Sequence, residues 1–138
     1  MVQKKVKVTK NFNQQVPSWE SILNNFNYSV IYKNLIKFKP LSFFVSHDAH
    51  LINEVKNVLN NLNLKVAHLY LNFAVEKNTF GRHKDNVDVW FWQVQGETKW
   101  EFDDKKFTLN QGDLIYVPQQ VHHSVIPLTP RAGISMSL

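Results

Sequence analysis

Gly112-Asp113-Leu114-Ile115-Tyr116-Val117-Pro118-Gln119-Gln120-Val121-His122-His123-Ser124-Val125-Ile126 holds two short apolar runs on either side of a proline. Gly112-Asp113 turns the chain into Leu114–Val117. Pro118 stops that run, because proline brings no N–H to a ladder, and Val121–Ile126 begins the next one. Brief strands bounded by turn residues are the units of an all-β barrel or sandwich.

The same rhythm continues in both directions. Lys65–Ala74 alternates, Val87–Val94 is β-branched and aromatic, and Gly96 marks a turn or bulge. Thr98–Phe102 and Lys106–Leu109 flank Asp103-Asp104-Lys105, a hairpin connection, and Ala132–Met136 forms the last strand. Trp90 and Trp92 lie opposite Val89 and Phe91, so both faces of that strand are apolar and it is expected to be central. Trp100 is read as a core residue. Roughly seven short strands with turns every ~8–12 residues, behind a helical N-terminal third, predict a mainly β fold with N-terminal helices: a jelly-roll barrel.

Before residue 64 the period differs. Pro17-Ser18 reads as a helix start, with Ser18 as N-cap and Trp19, Ile22, Leu23 and Phe26 on one face. Tyr28 to Phe44 is mixed and extended in part. Residues 47–62 place Leu51, Ile52, Val55, Val58, Leu59 and Leu62 at helical spacing, with Ser46 or Asp48 available as cap. Residues 2–9 alternate partly and predict an edge strand with lysines toward solvent. No repeat, low-complexity linker or composition break divides the chain. One domain over residues 1–138 is expected, with a helical or mixed part at 1–63 packing on a barrel core at 64–138.

Composition narrows the chemistry. Hydrophobic residues are 43% of the 138, aromatics 13%, enough for a packed core and too many for a disordered chain. With no cysteine there are no disulfides, thiolate metal sites or cysteine nucleophiles, so any metal is held by nitrogen and oxygen. No apolar run approaches the ~20 residues that span a bilayer, and Met1-Val-Gln-Lys-Lys lacks a signal-peptide apolar segment. A cytoplasmic protein without membrane association is expected. The +5 formal charge comes from scattered lysines, among them Lys4, Lys5, Lys7, Lys10, Lys33, Lys37 and Lys39. No nucleic-acid-binding motif accompanies them, so nucleic acid is not an expected partner; the charge serves solubility or attracts an anionic substrate.

Gly81-Arg82-His83-Lys84-Asp85 carries the chemistry. A His-x-Asp pair on extended chain puts imidazole and carboxylate on one face. A second histidine from a later strand, His122 or His123, completes a set of two His and one carboxylate. Such a set covers one face of an octahedron and leaves positions open, as in non-haem Fe(II) oxygenases. His47, His50 and His68 have no metal spacing with one another and are expected at surface or satisfied core positions. Asp88 is expected to bond a turn or hold Arg82.

The stretch Phe80-Gly-Arg-His-Lys-Asp-Asn-Val-Asp-Val-Trp-Phe-Trp-Gln-Val-Gln-Gly-Glu-Thr-Lys-Trp, with Gly112-Asp-Leu-Ile-Tyr-Val-Pro and His123, resembles the cupin-like JmjC group of 2-oxoglutarate oxygenases. Within that group it is most similar to the ribosomal-protein and asparaginyl hydroxylases. The resemblance covers about residues 65–137 and implies a double-stranded β-helix, Fe(II), 2-oxoglutarate and dioxygen as partners, and hydroxylation of an unactivated C–H bond. It implies His83 and Asp85 as metal ligands. Cupin-type spacing sets the distal histidine five residues after Pro118, at His123. Adjacent strand residues face opposite ways, so His122 then points out of the barrel.

One departure concerns 2-oxoglutarate. Many JmjC proteins bind its far carboxylate with Lys or Arg two residues after the glycine, where this chain has Thr98. Lys99 is adjacent, but by alternation Thr98, Trp100 and Phe102 share the inner face and Lys99 the outer one. Arg131, eight residues after His123 and with Ser135 on its face, resembles the last-strand arginine of prolyl-hydroxylase-type oxygenases. Its planar fork suits a carboxylate. Tyr70, Asn72 and Thr98 are expected as further hydrogen-bonding partners.

The leading expectation is an Fe(II)- and 2-oxoglutarate-dependent oxygenase acting on an unidentified protein or small-molecule substrate. Two others stand beside it: a cupin metalloenzyme that does not use 2-oxoglutarate, and a metal-free jelly-roll binding module. Against the first, the usual cupin motif is His-x-His with a following Glu, whereas Asp85 replaces the second His. A 138-residue chain leaves little room for the dimerisation and docking domains of larger ribosomal hydroxylases, which argues against a ribosomal substrate. A homodimer stays open.

Overall fold

The computed structural model describes residues 4–38, 42–75 and 81–138. Parts of three expectations (residues 2–3 of the first strand, 39–41 of the mixed segment, and Phe80) lie outside them.

Among the described residues ten strands form two antiparallel sheets. The larger runs β1 (Lys7–Thr9), β8 (Leu114–Val117), β5 (Val89–Gln95), β10 (Arg131–Ser137), β4 (Val66–Asn72), β3 (Phe43–Ser46) and β2 (Leu35–Phe38), in that order. The smaller places β6 (Thr98–Glu101) between β7 (Lys106–Leu109) and β9 (Ser124–Pro127). Two facing antiparallel sheets, with helices on the outside of one, make the jelly-roll, double-stranded β-helix of the cupins.

Alternation on the central strands sorts side chains between two cores. On β10, Ala132, Ile134 and Met136 face out, joining Trp92, Leu69 and Leu71 in a core capped by the helices. The opposite faces turn Phe91, Ile115, Val117, Trp100 and Val125 into the barrel. Gly133 sits where a Cβ would run into the Phe91 ring, so this close approach of strand and ring requires glycine. β5 is central, between β8 and β10, as its two apolar faces required.

Helix α1 (Trp19–Ile31) begins where the sequence placed it, with the Ser18 hydroxyl accepting from the Ser21 N–H at 3.1 Å. It runs on through Tyr28, which the sequence left outside, and Leu23 is exposed rather than on the buried face. The second helix corrects the expectation further. A 3-10 turn (Ala49–Leu51) precedes α2 (Asn53–Leu62), and neither Ser46 nor Asp48 caps it. Both are instead buried in a polar network: Asp48 accepts from Ser29 at 2.6 Å, and Asn25 bridges Ser46 and the Asp48 carbonyl. Asn63, left-handed at φ 55°, closes α2. The first 63 residues thus supply three strands to the large sheet as well as the helices. Among the described residues no helix is long and apolar enough to cross a membrane.

Candidate metal and acid-binding site

His83 and His123 meet as a lone antiparallel bridge beside the small sheet. Each donates its backbone N–H to the other's carbonyl, at 2.9 and 2.8 Å. Directly opposed residues of such a pair project side chains to the same face, and the two imidazoles lie 4.4 Å apart, centroid to centroid. Asp85, two residues along, returns to that face. Its backbone carbonyl accepts from the Gln120 N–H at 2.8 Å, and its carboxylate lies 4.0 Å from His83 Nε2 and 3.5 Å from His123 Nε2. One ligand atom from each of the three falls within 4.8 Å of the others, and among the described residues no other three-ligand cluster exists.

Both rings are held in the tautomer a metal needs. His83 Nδ1 lies 3.0 Å from the Gly81 carbonyl and His123 Nδ1 2.8 Å from the Val121 carbonyl. A carbonyl only accepts, so each Nδ1 carries a proton and each Nε2 is the ring nitrogen turned toward Asp85 and available to a metal. Burial pushes the His123 pKa below the usual histidine value, which keeps that ring neutral. His122 faces the other way, onto an outer hollow lined by Lys5, Phe102 and Gln120.

The cavity behind these residues runs into the barrel and ends at Arg131, whose 1% exposure makes it one of the most buried side chains present. Arg131 Nε donates to Asn72 Oδ1 at 2.7 Å, and the guanidinium lies between the Phe43 and Phe91 rings at 5.6 and 5.7 Å. Its Nη1 is buried with no hydrogen-bond partner among the described residues. Complete burial pushes the Arg131 pKa down to about 10, so it stays a cation at neutral pH. A buried guanidinium N–H without an acceptor is costly, and a carboxylate in the cavity supplies one.

Tyr70 and Ser135 also line this cavity and are hydrogen-bonded to each other. Burial first, and the Asp85 charge second, raise the Tyr70 pKa, keeping the phenol protonated. Val89, Phe91, Val117 and Val125 complete apolar walls. Two residues expected around the acid do not line it. Thr98 is fully buried, donating to Gln93 Oε1 at 3.0 Å and accepting from Trp100 Nε1 at 3.1 Å. Asn72 stands behind Arg131 and fixes its plane. Lys99 is on the outer face, 3.8 Å from Glu101.

Some features had no signal in sequence. Arg82 pairs with Asp103 at 2.7 Å, while Asp88 takes Lys4 at 2.6 Å and the Gln119 N–H at 2.9 Å, so Asp88 bonds a turn but does not hold Arg82. His47 and His68, without metal spacing, nonetheless pack edge to face at 4.5 Å. Gln93 gains its role only from Thr98, five residues on. Its parity with Phe91 was the one available hint.

Residues 69–131 match the family model for the cupin domain. No curated protein matches the chain significantly. Among solved structures it is similar to YcfD, a ribosomal oxygenase from Escherichia coli determined in complex with cobalt and 2-oxoglutarate. Identity is 14%, with a TM-score of 0.75 over 96% of this chain and 47% of that one. It is also similar to KdgF from Halomonas sp., at 18% identity and a TM-score of 0.54 over 75% of this chain and 87% of the other. The chain spans about half the length of YcfD. At these identities the likeness is one of fold.

Proposed function

We propose that this cupin-fold chain is an Fe(II)- and 2-oxoglutarate-dependent oxygenase, with His83, Asp85 and His123 holding the metal and Arg131 the far carboxylate of 2-oxoglutarate. The observation that carries the reading is the Arg131 guanidinium, buried and with Nη1 lacking an acceptor among the described residues, in the same cavity as the two His and one carboxylate. The donor set fits the metal, since two neutral imidazoles and a carboxylate favour a divalent transition ion and leave coordination sites for others. YcfD, of the same fold, was determined with cobalt and 2-oxoglutarate, which lends further support.

A ferrous ion held by His83, Asp85 and His123 would supply the oxidative chemistry, with dioxygen and 2-oxoglutarate. The chain's own work is binding, orientation and exclusion of water. The Gly81 and Val121 carbonyls, bonded to Nδ1, turn Nε2 of both histidines toward Asp85. Arg131, aligned by Asn72 and held between Phe43 and Phe91, neutralises a carboxylate where water is scarce. Tyr70 and Ser135 present hydroxyls along the cavity between the metal ligands and Arg131, and the valines and Phe91 keep the remainder dry. One residue set thereby binds the charged end of a small acid and leaves its other end beside the metal.

The test is metal analysis of the purified protein together with an assay of succinate formed from 2-oxoglutarate under Fe(II) and air. Stoichiometric metal and succinate production are expected, even without primary substrate, at a low uncoupled rate. Metal without succinate would mean a cupin metalloenzyme of another kind, and neither would leave a metal-free binding module.

A further inference from the structure

Gln93, Thr98 and Trp100 form a directed hydrogen-bond relay that ends on the indole stacked beside His123. Gln93 Nε2 donates to the Gln95 carbonyl at 2.9 Å, which leaves Gln93 Oε1 as acceptor. Thr98 Oγ1 donates to that oxygen at 3.0 Å and accepts from Trp100 Nε1 at 3.1 Å. Each member is buried, Gln93 and Thr98 completely, and each link has one direction only. The relay fixes the plane of the Trp100 indole. That indole lies almost parallel to the His123 imidazole, 5.6 Å away and 20° inclined, with the Phe91 ring edge-on behind it at 5.0 Å.

Two constraints therefore act on His123. The Val121 carbonyl fixes its Nδ1, which sets the tautomer but leaves the ring free to swing about that bond. Trp100 closes one side of this swing. Phe102, 5.9 Å from His123 and inclined at 37°, packs beside it at a steeper angle and sets the plane less closely.

We infer that Trp100, oriented by Thr98 and Gln93, is the positioning residue for His123, and that Thr98 serves the metal site through this relay and makes no contact with the bound acid. The inference rests on the reading of His83, Asp85 and His123 as metal ligands. It adds a role for the threonine that stands where many relatives of the fold place a cation. Thr98 is spent on orienting a ligand, which leaves the acid to Arg131. Outer partners of metal-bound histidines typically affect affinity ~10–100-fold when removed.

The experiment is a Co(II) titration of the purified protein, followed by the visible absorption of the bound ion, on the parent, Thr98→Val and Thr98→Ser, with circular dichroism to verify folding. Thr98→Val severs both links at nearly constant volume; Thr98→Ser restores the hydroxyl. Co(II) affinity is expected to fall ~10-fold or more in Thr98→Val with a shifted absorption band, and both are expected to return in Thr98→Ser. If Thr98→Val does not fold, Trp100→Phe keeps a stacked ring without the N–H and is expected to show the same band shift. Parent-like affinity and spectrum in the folded valine variant, or in Trp100→Phe where that stands in for it, would overturn the inference, as would equal weakening in valine and serine. Failure of the parent itself to bind Co(II) would instead overturn the metal-site reading, and this inference with it.

Discussion

At the scale of single residues, parity separates His122 from His123. Sequence spacing from Pro118 favours His123, and the structure turns His123 inward, 3% exposed, with His122 on the outer hollow. Replacing His123 by Ala is expected to abolish tight binding of Co(II) or Ni(II), a loss well beyond the ~10–100-fold typical of outer partners. His122→Ala is expected to bind like the parent. Titration of both variants checks this, and the reverse order would mean that the strand after Pro118 is one residue out of register. Thr98 shows what a residue-level reading misses. Its inward parity was legible, but its hydroxyl is consumed by Gln93 and Trp100, contacts that only the packed barrel creates.

Among the elements, the turn into β8 does more than reverse the chain. Asp113 accepts from the Asn110 and Asn11 N–H groups and from Lys10 Nζ, each at 2.9 Å, tying the N-terminal arm to the β7–β8 turn. Burial pushes its carboxyl up, but these N–H groups and the Lys10 ammonium outweigh that and hold its pKa below the usual 3.8. A carboxyl whose pKa is depressed by folding contributes stability above its unfolded pKa and loses it as pH falls through the folded one. Asp113→Asn is therefore expected to cost ~1–3 kcal/mol at neutral pH. The gap to the parent should hold from pH 7 down to about 5 and narrow below 3.8. Urea unfolding at pH 7 and at pH 3 measures it; an equal gap at both would remove Asp113 from the acid response. The strands themselves were legible, with Leu114–Val117 matching residue for residue. The helical third was less so. Ser46 and Asp48 look like caps by composition, yet a buried network with Asn25 and Ser29 claimed them, because tertiary partners outcompeted the local role.

Across the whole molecule, the site joins pieces that the sequence keeps far apart. Arg131 and Ser135 come from β10, Tyr70 from β4, and the His-x-Asp pair from a loop joined to the barrel by the His83–His123 bridge and by the Gln120 N–H bond to the Asp85 carbonyl. Periodicity and motif spacing made the barrel and the His83, Asp85 and His123 cluster legible. The role of Asn72 as a clamp on Arg131, and the absence of an acceptor for its Nη1 among the described residues, depend on three-dimensional neighbours and were not. The central claim is that metal triad and Arg131 form one site for a small dicarboxylic acid. Calorimetry of 2-oxoglutarate binding to Mn(II)-loaded parent, Arg131→Ala and Lys99→Ala tests it most directly. Binding is expected in the parent and in Lys99→Ala. Arg131→Ala is expected to lose ~2–5 kcal/mol, at least tenfold in affinity given ~1.4 kcal/mol per decade. No binding to the metal-loaded parent, or weakening confined to Lys99→Ala, would contradict it.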